Sequence, residues 1–300
     1  MALNDIFPLV SIGFPVYNGE RTVRQAINAL LAQDYANFEL IISDNASTDN
    51  TGVICREYAT RDQRVRYYRN EINKGAVWNF NRVFELAAGK YFMWAAHDDW
   101  HSSNYISKCL VELDKKPSNV LCYTLTQYVD QNGSNIRIVD SDVNTRGLNY
   151  FERLHTIILG MSSAVALYGV IRAETLRRTT LNQHCIHSDK CLLYQLAIMG
   201  HIVMVPEVLH FYRYSEKSVE QYVDQVKIRE TSDQNPVMPL ISLPAAITKA
   251  IFHLNIHPLK KPLLIIDALY CLRRRYHDRF KREIKLIHEI ETRTSRVTSL

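Results

Sequence analysis

Two kinds of segment alternate through the first hundred residues: short continuous apolar runs, and stretches whose apolar residues fall three and four apart. Leu9–Phe14 (LVSIGF) is the first run, stopping at Pro15, and reads as a buried strand. From Glu20 to Gln33 the apolar positions Val23, Ala26, Ile27, Leu30 and Leu31 have helical spacing. Phe38–Ser43 is the next strand and ends at Asp44; Ser47 or Thr48 is placed to cap a helix running through Tyr58. Val65–Arg69 predicts a short strand, Val77–Ala87 a helix, and Tyr91–Ala96 a strand buried on both faces. Strand and helix in this alternation mean βαβ units, hence an α/β fold with a mixed, mainly parallel sheet flanked by helices.

The second half continues with a helix over Ser103–Asp114, a strand over Val120–Tyr128, a polar turn at Gly133 and a helix over Tyr150–Gly160. Leu167–Ile171 leads into a helix start at Arg172–Leu176. His187-Ser188-Asp189-Lys190 opens an amphipathic helix with Leu192, Leu193, Leu196, Ala197 and Met199. Beyond residue 220 two apolar stretches, 237–254 and 262–287, lie beside Arg273, Arg274, Arg275, Arg279, Lys281, Arg282 and Lys285. They read as amphipathic helices with a basic rim: either helices packed on the domain with a solvated charged face, or an interfacial anchor on an anionic membrane.

Charge sharpens that picture. The chain carries +5 overall, yet from Pro258 onward eleven Lys/Arg face five Asp/Glu, so the positive excess is confined to the tail. This argues against nucleic acid as a partner and fits contact with an acidic surface. Six cysteines without CxxC or metal-finger spacing point to free thiols in a reducing, cytoplasmic compartment, peripheral on the inner membrane face if the tail is an anchor. The opening MALNDIFPLV has neither a basic n-region nor a long apolar core, so no signal peptide is expected; nor does any run suit a membrane span.

Candidate chemistry collects at strand ends. Asp98 and Asp99 follow the Tyr91–Ala96 run, and paired acids there repel each other unless a cation or solvent intervenes. In open α/β sheets ligands bind at the carboxyl ends of strands. Pro15, Tyr17 and Asn18 follow the first strand, Asp44 the second, and Lys74 and Gly75 come just past a further one. Each alone has a plain reading: packing for Tyr17, turn formation for Asp44 and for Asn-Lys-Gly, a solvated loop for Asp98–Asp99. Together they describe a nucleotide pocket. Neither GxGxxG nor GxxxxGK[ST] is present, which removes a dinucleotide site and a P-loop. Asp189, in the first turn of its helix, reads as a helix-dipole partner.

The run VSIGFPVYNGERTVRQAINALLAQDYANFELIISDNASTDNT, then NKG, then the strand ending in DD, resembles the inverting glycosyltransferases of family 2 with the GT-A fold, over roughly residues 9–220. The resemblance implies a Rossmann-like catalytic domain at 1–220, its nucleotide-sugar half about 1–100 and its acceptor half about 101–220, followed by a basic helical extension at 221–300. It implies transfer of a sugar from a nucleoside-diphosphate sugar, usually a UDP-sugar, to a hydroxyl of a glycan or lipid-linked acceptor, with a divalent cation (Mg²⁺ or Mn²⁺). By this resemblance Pro15, Tyr17 and Asp44 hold the base, with Asn18, Lys74 and Gly75 also at the donor. Asp98 contacts ribose, Asp99 ligates the cation, Arg172 and Trp100 lie toward the acceptor, and Asp189 is the general base.

The chain departs from the family in two places. Ala96 stands where many members have the first acid of D-x-D-D, and Ser215 where many have a metal-ligating His, leaving His210 or water to complete the site. Two other classes are expected to differ in specific ways. A sugar-phosphate nucleotidyltransferase would carry a Gly-rich basic loop after the first strand, where this chain has PVYNGE. A non-catalytic sugar-nucleotide-binding module would have no need of Asp44, Asp99 and Asp189 together.

Overall fold

The computed structural model describes residues 9–139, 143–185, 187–214 and 239–277. Its centre is a nine-stranded sheet: β1 Val10–Val16, β2 Phe38–Asp44, β3 Val65–Arg69, β4 Tyr91–Trp94, β5 Trp100–His101, β6 Asn119–Val129, β7 Asn135–Val139, β8 Val170–Arg172 and β9 His201–Arg213. The order is β3-β2-β1-β4-β8-β6-β9-β5, with β7 paired to β6. β3, β2, β1 and β4 are mutually parallel, as is the long β6–β9 ladder; the antiparallel pairings through β8, β5 and β7 are short. Strand order reverses between β1 and β4, which opens a crevice at their carboxyl ends.

The alternation of side chains along each strand separates two cores. Val10, Ile12 and Phe14 of β1 and Tyr91 and Met93 of β4 pack toward α1 (Val23–Leu31), α2 (Thr51–Arg61) and α4 (Tyr105–Asp114). Phe92 and Trp94 point the other way, toward α3 (Ala76–Glu85), α5 (Tyr150–His155), α6 (Ala173–Arg177) and α7 (Ser188–Met199). Gly13 sits on this second face because an added Cβ would lie 2.5 Å from Phe92 Cζ and 2.7 Å from Val83 Cγ2. Small residues permit such close approach.

Helices α8 (Pro239–His253) and α9 (260–277) bury Leu243, Ile247, Ile251, Leu264, Ala268 and Leu272 in the same core as α7. The described part of the tail is therefore packed on the sheet domain through one face.

Several segments differ from their sequence reading. β1 continues through Pro15, whose missing N–H is tolerated because parallel pairing with Ser43 uses other groups. Ser47 and Thr48 do not cap α2: Ser47 Oγ accepts the Asn18 N–H at 3.0 Å, the Thr48 N–H donates to Asn18 Oδ1 at 2.8 Å, and α2 starts after Asn50. The helix from Tyr150 changes to a π-helical turn over Thr156–Gly160. β5, β7 and β9 were not expected, since Pro206-Glu207 interrupts the apolar pattern of β9 and the other two strands are short or exposed.

Candidate functional site

The loop after β1 carries Tyr17, exposed, and Asn18, held at φ 51° by its hydrogen bonds to the loop after β2. Asn tolerates this left-handed conformation better than most residues. Pro15 is buried within the strand. His97 leans over the same loop: its Nδ1 lies 3.2 Å from Thr22 Oγ1, and a side chain at Gly19 would press within 2.8 Å of that nitrogen.

Asp44 is fully buried. Its Oδ1 accepts the Ser47 N–H at 2.8 Å; its Oδ2 accepts the Tyr67 hydroxyl at 2.8 Å and Arg69 Nη1 at 2.6 Å. With no exposed atom and both oxygens engaged, its carboxylate shapes the loop beside the expected base site.

The neighbouring residue, Asn45, takes up work the sequence did not single out. Its amide donates to Asn73 Oδ1 at 2.6 Å and to the Gly75 carbonyl at 3.2 Å, and its Oδ1 accepts the Lys74 N–H at 3.0 Å. One buried side chain thus fixes the Asn73-Lys74-Gly75 turn, with Gly75 at φ 84°, a conformation that suits glycine. Lys74 is exposed, its ammonium 4.4 Å from the centre of the Trp78 ring.

The structure divides the acid pair. Asp98 is half-buried, and its carboxylate makes no hydrogen bond or ion pair among the described residues. A half-open, unpartnered carboxylate at a strand end fits a divalent cation, which prefers hard oxygen ligands. Asp99 is 3% exposed. Its Oδ1 accepts the Arg213 N–H at 2.9 Å, and its buried Oδ2 lies 3.5 Å from His210 Nε2 without a hydrogen bond. Burial raises this carboxyl above its ordinary range, while His210 works in the opposite direction. The expected metal role therefore fits Asp98 better than Asp99, because Asp99 Oδ2 has no open approach. His210 is equally enclosed, stacked 4.7 Å from His101 and 3.1 Å from Thr126 Oγ1. Ser215 lies outside the described residues.

Arg213, also not singled out by the sequence, gathers this edge. Its Nε donates to the Asp98 carbonyl, its Nη1 to the Gln131 carbonyl and its Nη2 to Gln25 Oε1, and its guanidinium lies 5.3 Å from the Trp100 ring. Trp100 stacks in parallel on Phe211 at 5.3 Å.

Asp189 occupies the first turn of α7, where its Oδ1 accepts the Lys190 N–H at 2.8 Å. His187 precedes it in a left-handed conformation, φ 61°. Two tyrosines relate this acid to the pair after β4. The hydroxyls of Tyr168 and Tyr212 are pushed up first by burial, and both also feel the charges of Asp99, Asp98 and Asp189. All three carboxylates therefore lie within electrostatic range of these two tyrosines.

Arg172 belongs elsewhere, which corrects its placement toward the acceptor. It pairs with Tyr91 at the amino end of β4 and donates to the carbonyls of Leu113 and Asn119 and to the Tyr91 hydroxyl. Its guanidinium is consumed in tying α4 and β6 to the far end of the sheet.

Known proteins repeat this architecture. The chain is 33% identical over 167 residues to an uncharacterised glycosyltransferase of Rickettsia typhi, a match covering 53% of this chain and 51% of that one. It spans about half or less of the length of such curated relatives. Among solved structures, S. aureus TarS 1–349 in complex with UDP-GlcNAc superposes with a TM-score of 0.62 at 16% identity, covering 88% of this chain and 72% of that one. The mannosyltransferase PcManGT from Pyrobaculum calidifontis, in complex with GDP-Man and Mn²⁺, gives 0.53 at 16% identity over 94% and 85% of the two chains. These likenesses establish the GT-A fold, and the match of residues 11–180 identifies the sequence family: the chain belongs to glycosyl transferase family 2.

Proposed function

We propose that this protein transfers a sugar from a nucleoside-diphosphate sugar to a hydroxyl of a glycan or lipid-linked acceptor, with inversion at the anomeric carbon. The observation that carries this reading is the half-open Asp98 carboxylate just past β4, at the crevice between β1 and β4, in a chain of glycosyl transferase family 2. The nucleotide lies over the exposed Tyr17 and Asn18 and beside the Lys74–Gly75 turn that Asn45 holds. Complexes of the two structural neighbours with UDP-GlcNAc and with GDP-Man support a nucleotide-sugar donor; UDP is the first base to test.

In the displacement, the acceptor oxygen forms a bond to C1 while the bond from C1 to the diphosphate oxygen breaks, its electron pair leaving with the diphosphate. Asp189 receives the acceptor proton, as a carboxylate within hydrogen-bond reach does. Asp98 is the side chain to hold a divalent cation, which would offset negative charge on the departing diphosphate. Lys74 contributes positive charge at the same side.

The test is a thermal-shift panel of UDP-, GDP- and dTDP-sugars with Mn²⁺ or Mg²⁺, followed by turnover with the stabilising donor. A donor at a hundred times its dissociation constant should stabilise by about 2.7 kcal/mol. Turnover should release nucleoside diphosphate and give a product of inverted anomeric configuration by NMR. Release of pyrophosphate would instead assign a nucleotidyltransferase.

A further inference from the structure

Helix α9 is closed on one side and open on the other. Leu264, Ala268, Cys271, Leu272 and Tyr276 turn inward to the core. On the opposite side Leu259, Leu263, Ile266 and Tyr270 are 76%, 61%, 66% and 65% exposed. Their spacing of four, three and four residues sets them in one stripe along the helix. Phe252, near the end of α8, adds a further exposed ring. Single exposed apolar residues are ordinary on any surface, but a stripe over successive turns marks an interaction face.

The exposed charges on the described part of α8 and α9 are cationic. Lys249, Lys260, Arg273 and Arg274 are exposed. Asp267, the single carboxylate on the described part of α8 and α9, is turned to His155 Nε2 at 2.9 Å. Arg275 does not join the surface, because it donates to the carbonyls of Ile158 and Met161 and so pins α9 to the π-helical turn. An apolar stripe with exposed cations on the same two helices complements an anionic lipid surface: the side chains enter the headgroup boundary while the cations meet phosphate. No helix among the described residues is long and apolar enough to span a bilayer.

The inner side of α9, opposite this stripe, ends beside the acceptor side of the cleft. Lys190 Nζ donates to the Tyr276 hydroxyl at 3.2 Å, and the Tyr276 ring stacks 5.9 Å from that of His187. His187 and Lys190 flank the candidate base, Asp189.

We propose that the outer face of α8 and α9 docks on an anionic lipid leaflet, and that the acceptor hydroxyl reaches Asp189 from that leaflet as part of a lipid-linked molecule. The docking stands on the face itself; the delivery rests on the reading of Asp189 as the base.

The experiment sediments the full chain with vesicles of phosphatidylcholine alone or mixed with phosphatidylglycerol. The wild type should partition onto the anionic vesicles, less so as salt rises. The variant Leu263→Glu/Ile266→Glu changes only exposed positions, and should lose roughly tenfold or more of this partition with unchanged melting temperature. Asp189→Asn should still bind the vesicles, so loss of the catalytic reading and loss of the docking are read separately. Equal partition of the glutamate variant and the wild type would overturn the docking, as would a wild type that stays in the supernatant. So would a wild-type dimer that the same variant dissociates in sedimentation velocity, since the face would then belong to a second copy of the chain. Lipid-linked acceptors turned over no faster on anionic vesicles than in detergent would overturn the delivery.

Discussion

Asp99 Oδ1 accepts the backbone N–H of Arg213 at 2.9 Å, and by this one bond the loop after β4 is fastened to the last residue of β9. The bond joins two segments 114 residues apart in sequence. It holds the backbone from which Asp98 projects, and Arg213 completes the clasp by donating to the Asp98 carbonyl at 3.2 Å.

The two adjacent acids should therefore fail differently. Asp98→Ala is expected to abolish Mn²⁺-dependent UDP binding while leaving the melting temperature within a degree or so, since its carboxylate bonds to none of the described residues. Asp99→Ala should cost about 1–3 kcal/mol by leaving a buried donor unpaired, seen as a lowered denaturation midpoint. Calorimetric titration beside urea unfolding separates the two. Loss of metal binding in Asp99→Ala at full stability would return the cation to Asp99.

Asp189→Asn keeps the size and hydrogen-bonding capacity of the side chain but removes its basicity. Donor affinity should stay nearly constant, and turnover should fall roughly 10² to 10⁴-fold, the range for removing a general base. A collapse of donor affinity together with thermal stability would make Asp189 a structural group at the start of α7.

Asn45→Ala removes the anchors of the Asn73–Gly75 turn in one step, without touching a residue assigned to the donor. Buried hydrogen bonds lost with partners left behind cost about 1–3 kcal/mol. The variant should also bind nucleotide more weakly, with faster amide exchange at Lys74. Exchange at Lys74 unchanged from wild type would show that the turn holds itself.

Asp62 supplies a pH dependence. Hydrogen bonds from Arg64 hold its carboxyl below the ordinary carboxylate range against the opposing effect of burial. A carboxyl whose pKa is depressed in the folded state adds stability above its unfolded pKa, about 3.9, and loses it as pH falls through the folded value. Wild type should thus exceed Asp62→Asn in urea stability at neutral pH, and the difference should close below about pH 4. A gap that stays constant with pH would assign the effect to packing.

Local pattern in the sequence determined a great deal here. The apolar runs at Phe38–Ser43 and Tyr91–Ala96 and the three-and-four spacing from Val23 to Leu31 depend only on side-chain periodicity, so they located β2, β4 and α1 to within a few residues. The strand-end positions of Asp44 and of Asp98–Asp99 followed from the same runs, and with the order of motifs they pointed to the family. Tertiary structure alone decided which of those acids meets solvent, because burial and hydrogen bonding depend on neighbours distant in sequence. Tyr67 and Arg69 consume Asp44, Arg213 and His210 enclose Asp99, and Asp98 is left open. The same holds for Arg172, whose position before a helix looked like an approach to the site until its pairing with Tyr91 placed it at the opposite end of β4. β9 escaped the sequence because Pro206 and Glu207 break its alternation, and only the long parallel ladder with β6 makes that stretch a strand.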